Sequence, residues 1–300
     1  MKAIRIHGFG GPEVLKLEDA PMPEIGSDDV LIKVHAAAVN PVDWKIREGL
    51  RKEKFPTTFP LTPGWDVSGV IEAVGENIKI FKKGDQVYSL PDPKKNGAYA
   101  EYISVAANMV SIKPKTIDHD NAAAIPLAGL TAWQGLFDFG HLENGQKVLI
   151  HAGAGGVGTF AIQFAKWKGA YIITTTSEKN VEFLKLLGAD EVIDYTKTKF
   201  EDVIHDVDLV LDTLGGDVQK RSLQVLKDGG RLITTLRPDN EEEAKAKNIH
   251  LESFTARGHS EQLQQIAQLV DLGKVQPVIN KILRLEEAAE AQEIIKQGHS

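Results

Sequence analysis

Residues 147–176 constrain the fold more than any other stretch of this chain. Residues 147–152 (K-V-L-I-H-A) form a short apolar run suited to a buried parallel strand. Gly153, Ala154, Gly155, Gly156, Val157 and Gly158 follow at once and carry G-x-G-x-x-G at 153, 155 and 158. Residues 159–168 have helical spacing and stop at Gly169, and residues 171–176 (Y-I-I-T-T-T) read as a β-branched second strand. A pyrophosphate needs unpaired backbone N–H groups at the positive end of a helix. In that role Gly153 permits the tight turn, Gly155 lets the backbone approach the phosphate, and Gly158 lets helix and strand pack closely. A glycine loop alone is weak evidence, but between a strand and a helix with a second strand beyond, it predicts dinucleotide binding.

The rest of the chain falls around this unit. Residues 1–6, 14–17, 30–39, 67–74, 86–90 and 97–105 read as short strands separated by Gly/Pro turns, with a bulge expected at Gly69 and one or two helical turns over 42–48. This predicts a small β-rich domain. The composition changes near Pro114, and residues 121–139 are mostly helical. Strands at 171–176, 191–194, 207–212, 230–236 and 249–255 then alternate with helices at 179–187 and 218–226. That rhythm predicts a parallel, doubly wound sheet. Residues 261–272 are amphipathic, 275–285 extended, and 286–296 a final helix expected to return to the first domain.

Three hundred residues suffice for two cores. With no cysteine there is no disulfide, thiolate nucleophile or Cys-ligated zinc, and a reducing, cytoplasmic location fits. A net charge of −7 with scattered basic residues speaks against a nucleic-acid surface. No run approaches the roughly 18 apolar residues of a membrane span, and the N-terminus has no apolar leader.

Several stretches carry a resemblance: A-A-A-V-N-P-V-D at 36–43, P-G-W-D-V-S-G at 63–69, G-A-Y-A-E-Y at 97–102, P-L-A-G-L-T-A-W at 126–133, H-A-G-A-G-G-V-G at 151–158, L-G-A-D at 187–190 and D-T-L-G-G at 212–216. In this order they resemble the zinc-independent quinone oxidoreductase and enone reductase branch of the medium-chain dehydrogenase/reductase superfamily. The resemblance implies an α/β chain with a GroES-like β-rich substrate domain (1–116 and 257–300), a Rossmann NADP-binding domain (117–256) and a cleft between them. It also implies a homodimer, often through the edge of the Rossmann sheet. Relatives usually end in a further strand, whereas this chain stops at Gly298-His299-Ser300, so an edge strand is expected to be missing or cut off.

At the end of the second Rossmann strand an NAD site would place a carboxylate for the ribose hydroxyls. The chain offers Ser177 as a donor and Lys179 as a charge, which suit the 2′-phosphate of NADP(H), with Glu178 as the one residue favouring NAD. A helix cap is the plain alternative for Ser177. In relatives the matching Ser and Lys, with the residue matching Tyr195, hold that phosphate. The resemblance also places Thr131 near the nicotinamide and its phosphate, and Leu214, Gly215 and Phe254 beside the cofactor. Hydride addition to an enone builds charge on oxygen, and a donor aimed there lowers the barrier. Asn40 and Lys45 are the candidates, with Asp43 orienting Lys45 or a water. Quinone reductases of this branch often carry Tyr where this chain has Lys45, which tilts the substrate toward activated C=C bonds. Tyr99 either lines the substrate side or is an ordinary strand aromatic. No metal is expected, because Gly64-Trp65-Asp66 stands where zinc relatives carry G-H-E. The function expected is reduction of quinones or α,β-unsaturated carbonyls with NADPH. The alternatives are a non-catalytic NADPH-binding sensor or interaction protein, and a glycine-rich methyltransferase, which the Ser177 and Lys179 pattern disfavours.

Overall fold

The computed structural model describes residues 1–298 and divides into two compact units. The first holds Met1–Leu127, Arg257–Gly273 and the chain from Pro277 on; the second holds Ala128–Ala256 with Lys274–Gln276.

The first unit is built on antiparallel strands. β1 (Lys2–Arg5) pairs with β2 (Lys16–Asp19). A five-stranded sheet joins β3 (Asp29–Ala36), β4 (Val67–Val74), β5 (Gln86–Ser89), β6 (Tyr102–Ala106) and β7 (Val110–Ile112) in the order β6-β3-β4-β5-β7. Alternate residues of these strands, among them Val30, Ile32, Val67, Ile71, Val87, Ile103 and Val105, point inward and form the core. The bulge expected at Gly69 falls directly beside it: Val34 pairs with Gly69 and Ala36 with Ser68, so the extra residue, His35, lies on β3, and a second register shift lies between Leu31 and Ile32. Gly69 is needed because a Cβ there would run into the Lys33 carbonyl. The strand expected over 97–105 is shorter; Ala100 makes only an isolated bridge to Ala3.

Helix α1 (Pro41–Arg47) opens with proline in its first turn and an Asn40 N-cap. α2 (His119–Ala123) is capped by Asp118, which accepts from the Asn121 amide. After it comes α3 (Pro126–Trp133), which continues as a π-helical segment, Gln134–Phe139.

The second unit carries a six-stranded parallel sheet. Its strands are β8 (Lys147–Ile150), β9 (Tyr171–Thr176), β10 (Glu191–Asp194), β11 (Val207–Asp212), β12 (Leu226–Thr234) and β13 (His250–Ser253), in the order β10-β9-β8-β11-β12-β13. This is the doubly wound order expected of the chain. Leu149, Ile173, Val210 and Leu232 form its centre, with Phe200, Ile204, Leu223 and Val225 packed beside them. α4 (Gly156–Lys168) starts three residues earlier than the sequence reading, inside the glycine loop, and ends at Gly169 in a left-handed cap. α5 (Val181–Leu187), α6 (Gly216–Ser222) and α7 (Glu241–Ala246) complete the unit. α6 begins and ends earlier than the expected 218–226, and Leu226 already belongs to β12.

The C-terminal helices α8 (Ser260–Asp271) and α9 (Ala288–Lys296) belong to the first unit. Tyr88 donates its hydroxyl to the Leu263 carbonyl at 2.5 Å, and Asp271 accepts from the amide and hydroxyl of Thr116. The segment expected to be extended over 275–285 has no strand partner among the described residues. The stop at His299-Ser300 lies outside the described residues. Among those described, no helix is long and apolar enough to cross a membrane.

Candidate functional site

In the second unit the sheet reverses its winding between β8 and β11, the position where doubly wound sheets receive their ligands at the carboxyl ends of the strands. The glycine loop leaves β8 there. Ala152 takes a left-handed φ of 53°, and its carbonyl accepts the Gly155 amide at 2.9 Å. The three motif glycines are required for different reasons. A Cβ at Gly153 would strike the Thr174 hydroxyl, and one at Gly158 would enter the backbone of Ala152 and Gly153. At Gly155 an added Cβ meets only the Ala152 carbonyl, at 3.3 Å, and Gly156 meets only Ala128, at 3.7 Å. The space in front of α4 is therefore open beside Gly155 and Gly156. The N-cap residue is Gly155, and among the described residues no side chain caps α4, so its first-turn amides are left to solvent or an outside acceptor.

Two paired strands form the next corner. β9 and β10 run parallel, with Asp194 opposite Thr176, and the Tyr195 amide donates to the Thr176 carbonyl at 3.0 Å. Ser177 and Tyr195 thus leave the sheet side by side. Ser177 stands at the N-cap of a short 3₁₀ turn, Glu178–Asn180, without a side-chain cap bond, so the plain capping role is not the one it plays. Tyr195 is exposed, and Lys179 makes no ion pair among the described residues.

Beneath the loop, His151 is buried between Thr175 Oγ1 at 3.1 Å and Ser222 Oγ at 2.8 Å. Ser222 donates to the Val218 carbonyl, so it accepts from His151 Nε2–H, and Nδ1 accepts from Thr175. Burial lowers its pKa to about 4 and keeps the ring neutral.

Leu214 and Gly215 follow β11 and are held by Asp212. Its Oδ1 accepts from both their amides, at 2.8 and 2.9 Å, and its Oδ2 from Thr234 Oγ1 at 3.0 Å and Gln219 Nε2 at 3.3 Å. Sequence reasoning passed over Asp212 and Gln219. The signal was an Asp that ends an apolar strand directly before a Gly-Gly turn, where a carboxylate naturally collects turn amides. Phe254 follows β13 at the same sheet edge, but its ring is buried and stacked on Phe139 at 4.8 Å, so it faces the unit's own interior. Thr131 is buried within α3.

In the first unit the candidates cluster around the start of α1. Asp43 Oδ2 accepts the Asn40 amide at 2.5 Å, and Asn40 Nδ2 donates to Asp66 Oδ2 at 2.6 Å. Asp66 Oδ1 accepts the Leu127 amide in the first turn of α3, at 2.6 Å. Asp66 was legible only as the wrong residue for zinc; its partners lie 26 and 61 positions away. Burial pushes its carboxyl well above the usual range, and burial raises Asp43 to about 7. Asp43 Oδ1 and Tyr99 Oη are close enough to perturb one another, yet each is buried without a well-formed hydrogen bond. Tyr99 is an interior aromatic, packed so tightly on Gly64 that a Cβ there would enter its ring.

The expectation that Asp43 orients Lys45 needs correction. Two residues apart on a helix point to opposite sides. Asp43 turns inward onto Asn40, whereas Lys45 is half-buried with its Nζ 5.5 Å from the Trp44 ring centre. Lys45 makes no ion pair among the described residues, and burial, then Arg51, lowers its pKa.

Two families match the chain: the alcohol dehydrogenase GroES-like domain over residues 26–115 and the zinc-binding dehydrogenase family over 187–300. The chain is 38% identical to an NADPH-dependent alkenal/one oxidoreductase, chloroplastic, of Arabidopsis thaliana, over 93% of this chain and 72% of that one. The structure of a quinone oxidoreductase from Coxiella burnetii superposes with a TM-score of 0.94 at 38% identity, covering 100% of this chain and 96% of the other. The chain belongs to the zinc-independent quinone oxidoreductase and enone reductase branch of the medium-chain dehydrogenase/reductase superfamily. The Escherichia coli quinone oxidoreductase complexed with NADPH has a TM-score of 0.88 at 25% identity, with 100% and 98% of the two chains covered.

One matched family is named for zinc, and the residues of this oxidoreductase do not fit that metal. The chain lacks cysteine. Both oxygens of Asp66, at the position of the zinc motif, are taken by Asn40 and Leu127. Among the described residues no three His, Cys, Asp or Glu side chains are grouped to hold a metal ion.

Proposed function

We propose that this oxidoreductase is an NADPH-dependent, zinc-independent reductase of α,β-unsaturated carbonyls or quinones. The observation that carries the reading is the corner beyond β9 and β10, where Ser177, without a side-chain cap bond, Lys179, without an ion pair among the described residues, and an exposed Tyr195 follow the ends of paired strands. That set suits a 2′-phosphate, and the open N-terminus of α4 suits the pyrophosphate. Thr131, Leu214 and Gly215 are assigned to the same coenzyme, while the Phe254 ring is taken up by Phe139.

When bound, the reduced nicotinamide supplies a hydride. The chain's part is to hold the acceptor and receive the charge that forms on its oxygen. Asn40 spends one amide N–H on Asp66, which fixes the side chain and leaves the second N–H for the substrate oxygen. Lys45 offers an ammonium that no carboxylate has claimed among the described residues, and its partial burial strengthens its pull on a developing enolate. Asp43 acts as a positioning residue, because it fixes the Asn40 backbone rather than meeting substrate. A homodimer joined through the edge of the parallel sheet is part of the proposal.

The test is steady-state NADPH oxidation with a small enone and a simple quinone, NADH in parallel. Enone turnover with NADPH, reduced by Lys45→Met, supports the full reading. Quinone turnover that survives Lys45→Met removes Lys45 from the chemistry. Tight NADPH binding with neither acceptor reduced would overturn the reductase assignment in favour of a sensor.

A further inference from the structure

The corner that suits a 2′-phosphate also holds a residue that should spoil it. Glu178 lies between Ser177 and Lys179, and a carboxylate at this position suits the free ribose hydroxyls of NAD and repels a phosphate. The structure shows where that charge goes. Lys197 Nζ stands 2.5 Å from Glu178 Oε1 and 3.6 Å from Asp194 Oδ2. Asp194 Oδ1 accepts from the amide and hydroxyl of Thr196, at 3.0 and 2.7 Å, which closes a turn directly after β10. The same turn presents Tyr195, whose amide is bonded to Thr176, the residue before Ser177. Lys197 is therefore held on the rim of this corner by the turn that carries Tyr195.

Resting on the NADPH reading, we propose that Lys197 is a specificity-determining residue that draws off Glu178 and leaves Lys179 to the 2′-phosphate. The corner carries two carboxylates, Glu178 and Asp194, and two ammonium groups, Lys179 and Lys197. With Lys197 in place these charges balance before a phosphate arrives. Without it the corner is net negative, with Lys179 as its remaining ammonium group. Both partners of the Glu178–Lys197 pair are well exposed, so the pair adds little to folding. Its effect falls on coenzyme choice, since a phosphate dianion responds to every charge within a Debye length of about 10 Å at 0.1 M salt. Nothing near Lys197 in sequence signals this, because Glu178 lies 19 positions earlier, in the short turn that follows β9.

The experiment measures dissociation constants for NADPH and NADH by coenzyme fluorescence, at about 50 mM and about 300 mM salt, for the natural chain, Lys197→Gln, Glu178→Gln and the double variant. Lys197→Gln should lower the NADPH-over-NADH preference about three- to tenfold, more at low salt. Glu178→Gln in the same chain should restore most of it, and Glu178→Gln alone should change it little. An unchanged preference in Lys197→Gln overturns the proposal. So does a loss that Glu178→Gln fails to restore, which would make Lys197 a direct phosphate ligand. A natural chain that binds NADH as tightly as NADPH overturns the coenzyme reading itself, an outcome separate from both.

Discussion

Arg47 Nη1 donates to Gln292 Oε1 at 2.9 Å, joining α1 to α9 across 245 positions of sequence. The guanidinium is wholly buried. Its remaining nitrogens meet the Gly10 carbonyl at 3.3 Å, Glu48 at 2.7 Å and Glu293 at 3.2 Å. A planar fork with five donors can serve all four partners at once, and an ammonium cannot. Arg47→Met should therefore cost about 2–4 kcal/mol, near the lower end for breaking a buried pair, because Glu48 and Glu293 can still reach water. Arg47→Lys should recover less than half of that. Denaturant unfolding followed by tryptophan fluorescence checks both, and a loss under about 1 kcal/mol for Arg47→Met would remove this knot from the fold's supports.

Asp43 carries a pH signature of opposite sign to that of an ordinary paired carboxylate. Its native pKa is raised from 3.8 to about 7 by burial. Between those values the unfolded chain has released the proton and the native chain keeps it, so stability falls as pH rises from about 4 to about 7 and is flat above. Asp43→Asn keeps an acceptor for the Asn40 amide and has no proton to lose. The variant should gain stability relative to the natural chain across that window. His151 works the other way, since its native pKa is lowered to about 4 and its neutral form becomes cheaper to hold as pH rises toward 6.5. It is present in both proteins and cancels in the difference. Unfolding midpoints at pH 4.5, 6 and 8 measure this, and a constant difference between the two proteins refutes the buried proton on Asp43.

The glycine loop, the parallel doubly wound sheet and the existence of most strands were legible because each rests on local pattern. Parallel strands buried on both faces read as apolar runs, and glycines punctuate the turns. The start of α4 was misjudged for the same reason. Glycine is a poor helix former, so G-V-G reads as loop, while packing against Ala152 and Gly153 makes it the first helical turn. The site residues divide in the same way. Asn40 sits in a recognisable motif, Ser177 stands at the end of a legible strand, and Tyr195 is placed by the family resemblance. The groups that set their behaviour, Asp66 for Asn40 and Lys197 for Glu178, are brought in by tertiary structure from outside those stretches. Asp43 ends the motif at 36–43 and Lys45 follows it by two residues, yet helix geometry sends one inward and leaves the other half-buried over Trp44.

Gly155 is the motif glycine whose replacement reports on the coenzyme more than on the fold. A Cβ there meets one protein atom at 3.3 Å, whereas a Cβ at Gly158 enters backbone. Gly155→Val should fold, lose a modest amount of stability, and bind NADPH and NADH at least about a hundredfold more weakly, the loss expected when two charge-assisted contacts are blocked. Gly158→Val should instead fail on stability. Circular dichroism with coenzyme titration separates the two, and a folded Gly155→Val with natural affinity would refute the loop as the pyrophosphate seat.

Asp66 should matter to turnover through Asn40 alone. Asp66→Asn can still accept the Leu127 amide, but its new NH₂ group opposes the Asn40 donor that the carboxylate now receives at 2.6 Å. With its aim lost, Asn40 no longer presents a fixed N–H to the substrate oxygen. We expect kcat for enone reduction to fall roughly ten- to hundredfold, the range seen for removal of a single oxyanion donor or somewhat less. The KM for NADPH should stay within about twofold, since the coenzyme contacts assigned here lie on other residues. Asn40→Ala should cost a similar factor, and the double variant no more than either alone, because both changes remove one interaction. The kinetic cycle over these four proteins decides the point. Losses that multiply in the double variant would show that Asp66 acts by another route, such as the first turn of α3, and would leave Asn40 without the positioning residue assigned to it.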